Sequence, residues 1–484
     1  MFPRHNATRG RSHDLLVRTA AVAVLVGVGA MAHFAASGPR VQSSAVGGAQ
    51  VPFPKPTATT PSGCVREVSE YRAARQKNVP PTDPQAANTA RPATTEQINQ
   101  AAQTMAKACA AQFDLATVPA AELVSLATLD MSGNDASGAR AAIDRALSLK
   151  TLPPADRVAM LSAALPVLRA IPPPTPGRDG RAQQLYPRLE QIADELDANP
   201  AATIDLKLGT HAAILGSYRG DDIDAGIIKH ATWLLDASKT FSPAQLKASG
   251  AMLVEAYVDL SEAWAGQGMT DQALELLRAG KKALVDTPQS GASIDPEIAR
   301  LELVGTPAHA ITAPRWLNAP PDLRTLPMTG QVTLLEFTAH WCGPCRESYP
   351  GVNRLRERFA RQDFRVVMVT RYWGYFAKDG VIERPLANEV ELERDRAYFA
   401  GFHLDVPVAI GDLLTLRRVG DDFQWDPHPD PNDTNYGVSG IPQIQIIDRA
   451  GVIRRILVGY DNANEPKLET FIDGLLKERS ALTS

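Results

Sequence analysis

Apolar residues recur at helical spacing from about residue 95 to residue 285, a stretch rich in alanine and leucine. Two examples are Leu123, Leu126, Ala127 and Leu129, followed by Ala142, Ile143, Ala146 and Leu147. A period near 3.6 residues is typical of amphipathic helices. Proline pairs such as Pro153-Pro154 interrupt this pattern and end helices. The pattern therefore predicts an all-α region of short, paired helices.

A faint repeat runs through this helical region. In three places a glycine is followed five or six residues later by an alanine: Gly133 and Ala139, Gly220 and Ala225, Gly268 and Ala273. The glycine would end one helix, and the small alanine would let the next helix pack closely. The pattern resembles the tetratricopeptide repeat and leaves open either repeat-like helix pairs or an irregular bundle. Repeat-like pairs would offer a surface to a protein partner, whereas the alternative is a structural spacer.

After residue 300, short β-rich runs alternate with helical stretches. The predicted strands are 332–338, 364–370, 406–410, 443–448 and 452–458, and the predicted helices are about 346–360, 388–401 and 465–478. Alternation of strands and helices indicates βαβ units. The tight turn "DRAG" between the last two strands predicts a hairpin. This part is therefore expected to be an α/β domain with a mixed sheet flanked by helices.

These patterns divide the 484-residue chain into five segments, consistent with two or three domains. They are a signal peptide or membrane anchor (1–36), a proline-rich linker (37–62), a helical domain (63–285), a hinge (286–299) and the α/β domain (300–484). The net charge of −4, from 50 basic and 54 acidic residues, argues against a nucleic-acid-binding protein, which usually needs a strongly basic face.

The N-terminal segment has the pattern of an export signal. Four arginines precede a stretch, 19–36, that contains no charged residue, as in signal peptides and membrane anchors. Ala30-Met31-Ala32 would suit cleavage, so both a retained anchor and a cleaved signal remain open, besides a buried core helix. In both membrane interpretations the rest of the chain lies outside the cytoplasm, because the positive end stays inside.

Four cysteines are too few for a disulfide-scaffold protein. Cys64 and Cys109 both lie in the helical region, where oxidising conditions after export would favour a bridge between them. The sequence predicts a structural disulfide here, with two separate buried thiols as the alternative.

The other two cysteines form the motif Trp341-Cys342-Gly343-Pro344-Cys345. The motif follows a predicted strand and opens a predicted helix, whose N-terminal N–H groups would stabilise a thiolate at Cys342. Pro344 suits the first helical turn, where its missing N–H is not needed. Cys342 is the predicted exposed nucleophile and Cys345 the shielded resolving thiol.

The sequence disfavours three other interpretations of the motif. A structural zinc site would need a second ligand pair, and neither another C-x-x-C nor a suitable arrangement of His340 and His403 is present. A purely structural disulfide is disfavoured by the strand-to-helix corner, and a peroxidatic cysteine would stand alone. The motif therefore predicts a redox-active dithiol that needs no cofactor and no metal.

At this point the sequence resembles the thioredoxin superfamily, and more closely its TlpA-like (ResA-like) extracytoplasmic members. The resemblance covers about residues 300–480 and rests on "WCGPC", "VGTPAHAITAP", "CRESYPGVNRLRERFARQDFRVVMV", "YGVSGIPQIQIIDRAGVIRRILVG" and the closing helix. It implies a thioredoxin-like domain, thiol-disulfide exchange with protein disulfides, and a membrane electron donor that restores the dithiol. The Gly-Pro pair between the cysteines resembles reducing thioredoxins more than strong oxidants.

The resemblance also implies roles for residues outside the motif. Glu336 would be a buried acid beneath Cys345 that accepts its proton, although an exposed edge position is the alternative. Pro442 would be cis, and together with Ile441 it would face the dithiol and pair with a substrate chain. Trp341 would pack beside the dithiol as a cap, unless it is a core residue. With Gly343 and Pro344, Trp341 and Ile441 form the predicted substrate groove.

Two stretches depart from the family pattern. One is the aromatic run from Tyr372 to Phe376 in the insertion between two strands. The other is the acidic loop before Pro442, which contains Asp430 and Asp433 and was open to three interpretations: a solvated surface loop, a substrate-recognition flap or a metal site.

Two functions of different classes follow from the sequence. The first is an extracytoplasmic thiol-disulfide oxidoreductase. The second is a helical-repeat adapter protein whose thioredoxin-like module docks partners or senses redox state. The presence of both cysteines together with Glu336 and Pro442 favours the enzyme.

Overall fold

The structure is a computed structural model that describes residues 55–76, 95–173, 178–286, 288–320, 329–378, 381–412, 416–419, 422–425, 430–460 and 465–478. The predicted signal or anchor (1–36) and most of the predicted linker lie outside these residues. Within the described part of the chain, no helix is long and apolar enough to cross a membrane. The chain divides into two compact units, Met1–Asp144 with Pro166–Pro172, and Arg145–Leu165 with Pro173–Ser484.

Helices account for all regular structure described before residue 304, as the apolar spacing predicted. They are α1 (Pro61–Gln76), α2 (Thr95–Ala110), α3 (Leu123–Ser132), α4 (Ala136–Ser148), α5 (Pro154–Ala170), α6 (Arg178–Gln184), α7 (Tyr186–Ala198), α8 (Ile204–Gly220), α9 (Asp224–Ser238), α10 (Pro243–Ala248), α11 (Gly250–Gly266), α12 (Thr270–Ala283) and α13 (Pro288–Leu303), with a 3-10 turn at Ala120–Glu122. The stretch 286–299, predicted to be a hinge, lies largely in α13. Proline is tolerated in the first helical turn, so Pro288 does not interrupt this helix.

In the first unit, α1, α2 and α3 share an apolar core. It contains Val68, Met105 and Leu129 together with a disulfide between Cys64 and Cys109, whose Cα atoms are 6.1 Å apart. Both cysteines are fully buried. The bond therefore links α1 to α2.

In the second unit, close helix packing depends on a glycine rather than on the predicted alanine. Ala225 is exposed, whereas Gly226 is buried. A Cβ atom on Gly226 would lie about 2.2 Å from the ring of Tyr218, so only glycine lets α9 approach α8 here. The prediction of a packing role for Ala225 was wrong by one position, because a one-residue shift rotates a helix position by about 100°. At the other two sites, Ala139 and Ala273 are fully buried as expected.

A buried polar chain links α7, α8 and α9. The Nδ1 atoms of His211 and His230 lie 2.9 Å apart. The Nε2 atom of His211 is 3.2 Å from Asp197 Oδ2, and the Nε2 atom of His230 is 3.0 Å from Glu190 Oε1. Trp233 stacks on His211. Each imidazole thus has a partner at both nitrogens, as buried polar groups require.

The C-terminal part forms a mixed six-stranded sheet in the order β1-β6-β3-β2-β9-β10. Its elements are β1 (Arg315–Leu317), β2 (Val332–Phe337), α14 (Gly343–Arg358), β3 (Phe364–Arg371), β4 (Phe376–Lys378), β5 (Val381–Glu383), α15 (Asn388–Gly401), β6 (Val408–Gly411), β7 (Leu416–Val419), β8 (Asp422–Trp425), α16 (Pro431–Asn435), β9 (Gln443–Ile447), β10 (Ile453–Val458) and α17 (Glu465–Lys477). Strand β3 runs parallel to β2 and β6, whereas β9 is antiparallel to β2 and β10. The predicted mixed sheet and closing hairpin are confirmed.

Strand β2 lies at the centre of the sheet and is buried on both faces. Leu334 packs with residues of α14, α15 and α17, including Tyr349 and Phe399. Leu335 points to the other face, where it packs with Ile311 and Tyr436. Because β2 is packed in this core, its C-terminal end fixes the position of the chain segment that leads from β2 into α14.

The sequence did not predict β1, the hairpin β4–β5 or the hairpin β7–β8. These strands have only three or four residues, too few for a periodic pattern to stand out. Strand β1 exists because its backbone pairs with β6 at the sheet edge.

Candidate redox-active disulfide site

The two cysteines of the motif lie where β2 leads into α14. Cys342 is the N-cap of the helix, and its Sγ accepts a hydrogen bond from the Cys345 backbone N–H at 3.1 Å. The two residues form a disulfide with a Cα–Cα distance of 5.3 Å. Cys345 is shielded as predicted, but the prediction of an exposed Cys342 was wrong, since Cys342 is only 3% exposed and packs in the apolar core. When reduced, a thiolate at Cys342 would keep this N–H bond and the favourable end of the helix dipole. Pro344 occupies the first helical turn, as predicted.

The predicted cis proline faces the dithiol. The Ile441–Pro442 peptide bond is cis, and the Ile441 carbonyl oxygen lies 3.7 Å from Cys342 Sγ. The Pro442 carbonyl oxygen accepts the Gly459 N–H at 2.8 Å, which ties the loop to the end of β10. The Ile441–Pro442 backbone beside the Cys342 sulfur is therefore tied to the end of β10.

Glu336 is fully buried in β2, which excludes the exposed edge position. The Ser348 hydroxyl oxygen is 2.8 Å from Glu336 Oε1 and 2.8 Å from the Cys345 carbonyl oxygen. Oε2 has no hydrogen-bond partner among the described residues. Burial raises the pKa of Glu336 to about 8, against the opposing effect of the Ser348 hydrogen bond. A protonated Glu336 can donate to Ser348, whose own proton then goes to the carbonyl.

The aromatic run packs beside the dithiol. Trp341 is 39% exposed, so it is not a core residue, and it makes an edge contact with Trp373 at a centroid distance of 5.0 Å. The Glu391 carboxylate accepts the N–H groups of Trp373 and Gly374 at 2.6 and 2.9 Å. Helix α15 thereby positions the insertion against the corner.

A buried histidine and a buried aspartate face each other behind the corner. His340 Nδ1 is 3.6 Å from Asp395 Oδ1, and both side chains are almost fully buried. His340 stacks on Phe376. Burial lowers the pKa of His340 to about 4, and burial together with Glu391 raises the pKa of Asp395 to about 8. Both groups are therefore uncharged near neutral pH.

Residues 430–436 of the acidic loop contact other parts of the fold. Asp430 is buried and caps α16 through the Asn432 N–H, and Asp433 lies 3.3 Å from Arg371. The Asn432 side chain holds the backbone of Thr312 with two hydrogen bonds. For residues 430–436 these contacts disagree with the interpretation of the loop as solvated surface, one of the three that the sequence left open. No group of His, Cys, Asp or Glu in the described ranges has the arrangement of a metal site.

The structure brings the predicted site residues together at one corner: Cys342, Cys345, Glu336, Ile441, Pro442, Trp341, Gly343 and Pro344. The sequence did not point to Ser348, Arg371 or Asp395. Ser348 carries a usable signal, because it lies three residues after Cys345 and so on the same helix face. Arg371 and Asp395 carry none, since their positions depend on the packing of the insertion.

The chain was compared with known proteins. No family model matches it, and no curated protein matches it. Among solved structures, it is similar to a protein described as a thiol:disulfide interchange protein DsbE from Chlorobium tepidum, at 27% identity and a TM-score of 0.22, over 31% of this chain and 82% of that one. It is also similar to a thioredoxin-like protein in its oxidised form, at 18% identity and a TM-score of 0.26, over 36% of this chain and 97% of that one. A third similar structure is StoA from Bacillus subtilis, at 19% identity and a TM-score of 0.21, over 30% of this chain and 85% of that one.

The sheet order, the dithiol at the first helix of the sheet and the facing cis proline give the C-terminal part a thioredoxin-like fold. The site itself is a disulfide at a helix N-terminus with a buried acid behind it.

Proposed function

We propose that this protein is an extracytoplasmic thiol-disulfide oxidoreductase that reduces protein disulfides through Cys342 and Cys345. The observation that carries the proposal is the geometry around Cys342. Its sulfur accepts the Cys345 N–H at the start of α14 and lies 3.7 Å from the carbonyl oxygen before a cis proline. A purely structural disulfide needs neither feature.

The first step is attack by the Cys342 thiolate on one sulfur of a substrate disulfide. The substrate S–S bond breaks, a mixed disulfide with Cys342 forms, and the released substrate thiolate takes a proton from solvent. The helix N-terminus stabilises the attacking thiolate, and the Ile441 carbonyl borders the place where the substrate sulfur arrives.

In the second step Cys345 resolves the mixed disulfide. Its thiol gives its proton to the Glu336 carboxylate, and the resulting thiolate attacks the Cys342 sulfur, which releases the second substrate sulfur as a thiolate. A carboxyl group with a pKa of about 8 is well matched to a thiol, whose usual pKa is about 8.5. Two electrons pass to the substrate and the protein ends as the disulfide.

The protein must then receive two electrons from a dithiol donor. The N-terminal segment places the chain outside the cytoplasm in this proposal, so the donor is a membrane protein. The helical region supplies a surface for a partner, as its resemblance to tetratricopeptide repeats suggests.

Trapping tests the mechanism. A Cys345→Ser variant should stop at the mixed disulfide and retain a bound substrate protein that dithiothreitol releases. A Cys342→Ser variant serves as the control and should retain none. Equal capture by both variants, or turnover by Cys342→Ser, would contradict the assigned roles.

A further inference from the structure

A small cavity borders the residue that faces the reacting sulfur. It has a volume of about 60 Å³, and Ile441, Val438, Thr338, Trp373, Arg371 and Asp433 line it. The Ile441 carbonyl oxygen is 3.7 Å from Cys342 Sγ. Only Ile441 therefore separates a group bound in this cavity from the reacting sulfur. A side chain next to a substrate cysteine would be close enough to enter the cavity.

Arg371 provides the polar end of the cavity. It is 9% exposed, and its Nη1 donates to Asp433 Oδ2 at 3.3 Å. Its guanidinium also lies 5.8 Å from the Trp373 ring centroid. Its Nε–H has no hydrogen-bond partner among the described residues. A buried N–H of a charged group is costly without an acceptor, so a ligand that brings an acceptor to this N–H would remove the cost.

The charges of the walls decide which acceptor fits. One guanidinium, of Arg371, and two carboxylates, of Asp430 and Asp433, line the cavity, so a ligand carboxylate would meet more negative than positive charge. Burial and Asp430 raise the pKa of Asp433 to about 6, against the influence of Arg371, so this carboxylate is still largely ionised at pH 7. A neutral carbonyl oxygen avoids the repulsion and still accepts from Nε–H.

Size and neighbouring surfaces narrow the choice further. A cavity of about 60 Å³ is too small for an aromatic side chain. The apolar walls of Val438 and Ile441 suit a short aliphatic stem. Trp341, which is exposed and contacts Trp373, offers a flat surface to the adjoining peptide.

We propose that this cavity is a specificity site that takes the amide side chain of an asparagine or glutamine next to the attacked cysteine of a polypeptide substrate. The proposal rests on the proposed function. Arg371 is the residue that determines this preference, and Asp433 excludes acidic side chains.

The test measures single-turnover reduction by the full-length, pre-reduced protein. The substrates are short peptides, each a symmetric disulfide with Asn, Leu or Asp next to the cysteine, and hydroxyethyl disulfide, which has no side chain to recognise. We expect the Asn peptide to react about tenfold faster than the Leu or Asp peptide, the effect of one hydrogen bond to a charged group. Arg371→Lys keeps the charge but loses Nε–H, and it should remove the preference. Arg365→Lys on the same strand is the matched control.

The outcomes are distinguishable. Equal rates for the three peptides, with hydroxyethyl disulfide still reduced, would overturn the specificity site and leave the proposed function standing. Fastest reaction of the Asp peptide would overturn the neutral-amide assignment. No reduction of any of the peptides or of hydroxyethyl disulfide would refute the proposed function itself. If Arg371→Lys does not fold, the three peptides with the unaltered protein still decide. Asp433→Asn should speed the Asp peptide selectively.

Discussion

The helical region and the α/β region each contain one disulfide, but the two bonds have different surroundings. Cys64 and Cys109 lie within an apolar core between two helices, with both side chains fully buried. Cys342 and Cys345 lie at a helix N-terminus beside the exposed Trp341. The first bond constrains the chain, whereas the second, although also buried, lies at a helix N-terminus where a thiolate is stabilised.

Buried ionisable groups occur in both regions. In the helical region, His211, His230 and Glu190 contact one another at hydrogen-bond distance, although Asp197 Oδ1 has no hydrogen-bond partner among the described residues. Behind the dithiol, Glu336 Oε2 and Asp395 Oδ2 also have no such partner among those residues. The two regions therefore differ in what surrounds their disulfides rather than in whether buried polar atoms are partnered.

The largest effect should come from removing one sulfur in each region. Cys342→Ser should lower the rate of insulin disulfide reduction at least about a thousandfold, because the remaining thiol, Cys345, is fully buried and is not at the helix N-cap. Cys109→Ser should leave that rate almost unchanged. Insulin turbidity measures both. Comparable losses in the two variants would remove the distinction between the bonds.

The disulfide of the helical region should contribute to the free energy of unfolding rather than to the rate of reduction. It closes a loop with a sequence separation of 45, for which the chain-entropy model gives about 4 kcal/mol. A Cys64→Ala, Cys109→Ala double variant should lose about this much in denaturant unfolding and remain a disulfide reductase. An unchanged unfolding midpoint would show that the bond does not constrain the unfolded chain as expected.

Glu336 should couple stability to pH. Its pKa rises from 4.5 to about 8 on folding, so the folded state holds a proton that the unfolded state has lost. Stability should therefore fall between about pH 5 and pH 8, by about 3 kcal/mol in total. Glu336→Gln should abolish this slope, and the exposed Glu347→Gln is the control. Parallel pH profiles for the two variants would mean that Glu336 is not buried as an acid.

The histidine pair should give a smaller effect of opposite sign. Burial, and then the charge of His230, lower the pKa of His211 from 6.5 to about 4. One proton fits between the two Nδ1 atoms; a second would place two N–H groups face to face. Glu190, Asp197, Lys229 and Tyr218 surround the pair.

Because the unfolded state binds the extra proton first, stability should fall as the pH drops from about 6.5 towards 4, by about 2 kcal/mol at pH 5. His211→Gln should flatten this acid limb in urea unfolding, whereas the exposed His309→Gln should not. If the loss of stability at low pH persists in His211→Gln, groups other than His211 cause it.

Local signals made much of the site predictable. The Trp341–Cys345 motif, the proline at 442 and the acid within an apolar strand at 336 are each visible in a few consecutive residues. The short strands and the cavity were not predictable in this way. Arg371, Trp373 and Asp433 meet only because the insertion and the acidic loop pack at the ends of β2 and β3.

The sequence alone determined that Cys342 and Cys345 form a pair at the N-terminus of a helix that follows a strand, because a strand, a turn and a helix N-terminus are short-range structures. Only the tertiary structure decided what surrounds those atoms. Ile441 is 99 residues from Cys342, yet its carbonyl oxygen reaches the sulfur. Such contacts depend on sheet order and on the packing of side chains in a dense core, where a shift of one residue, as between Ala225 and Gly226, exchanges a buried position for an exposed one.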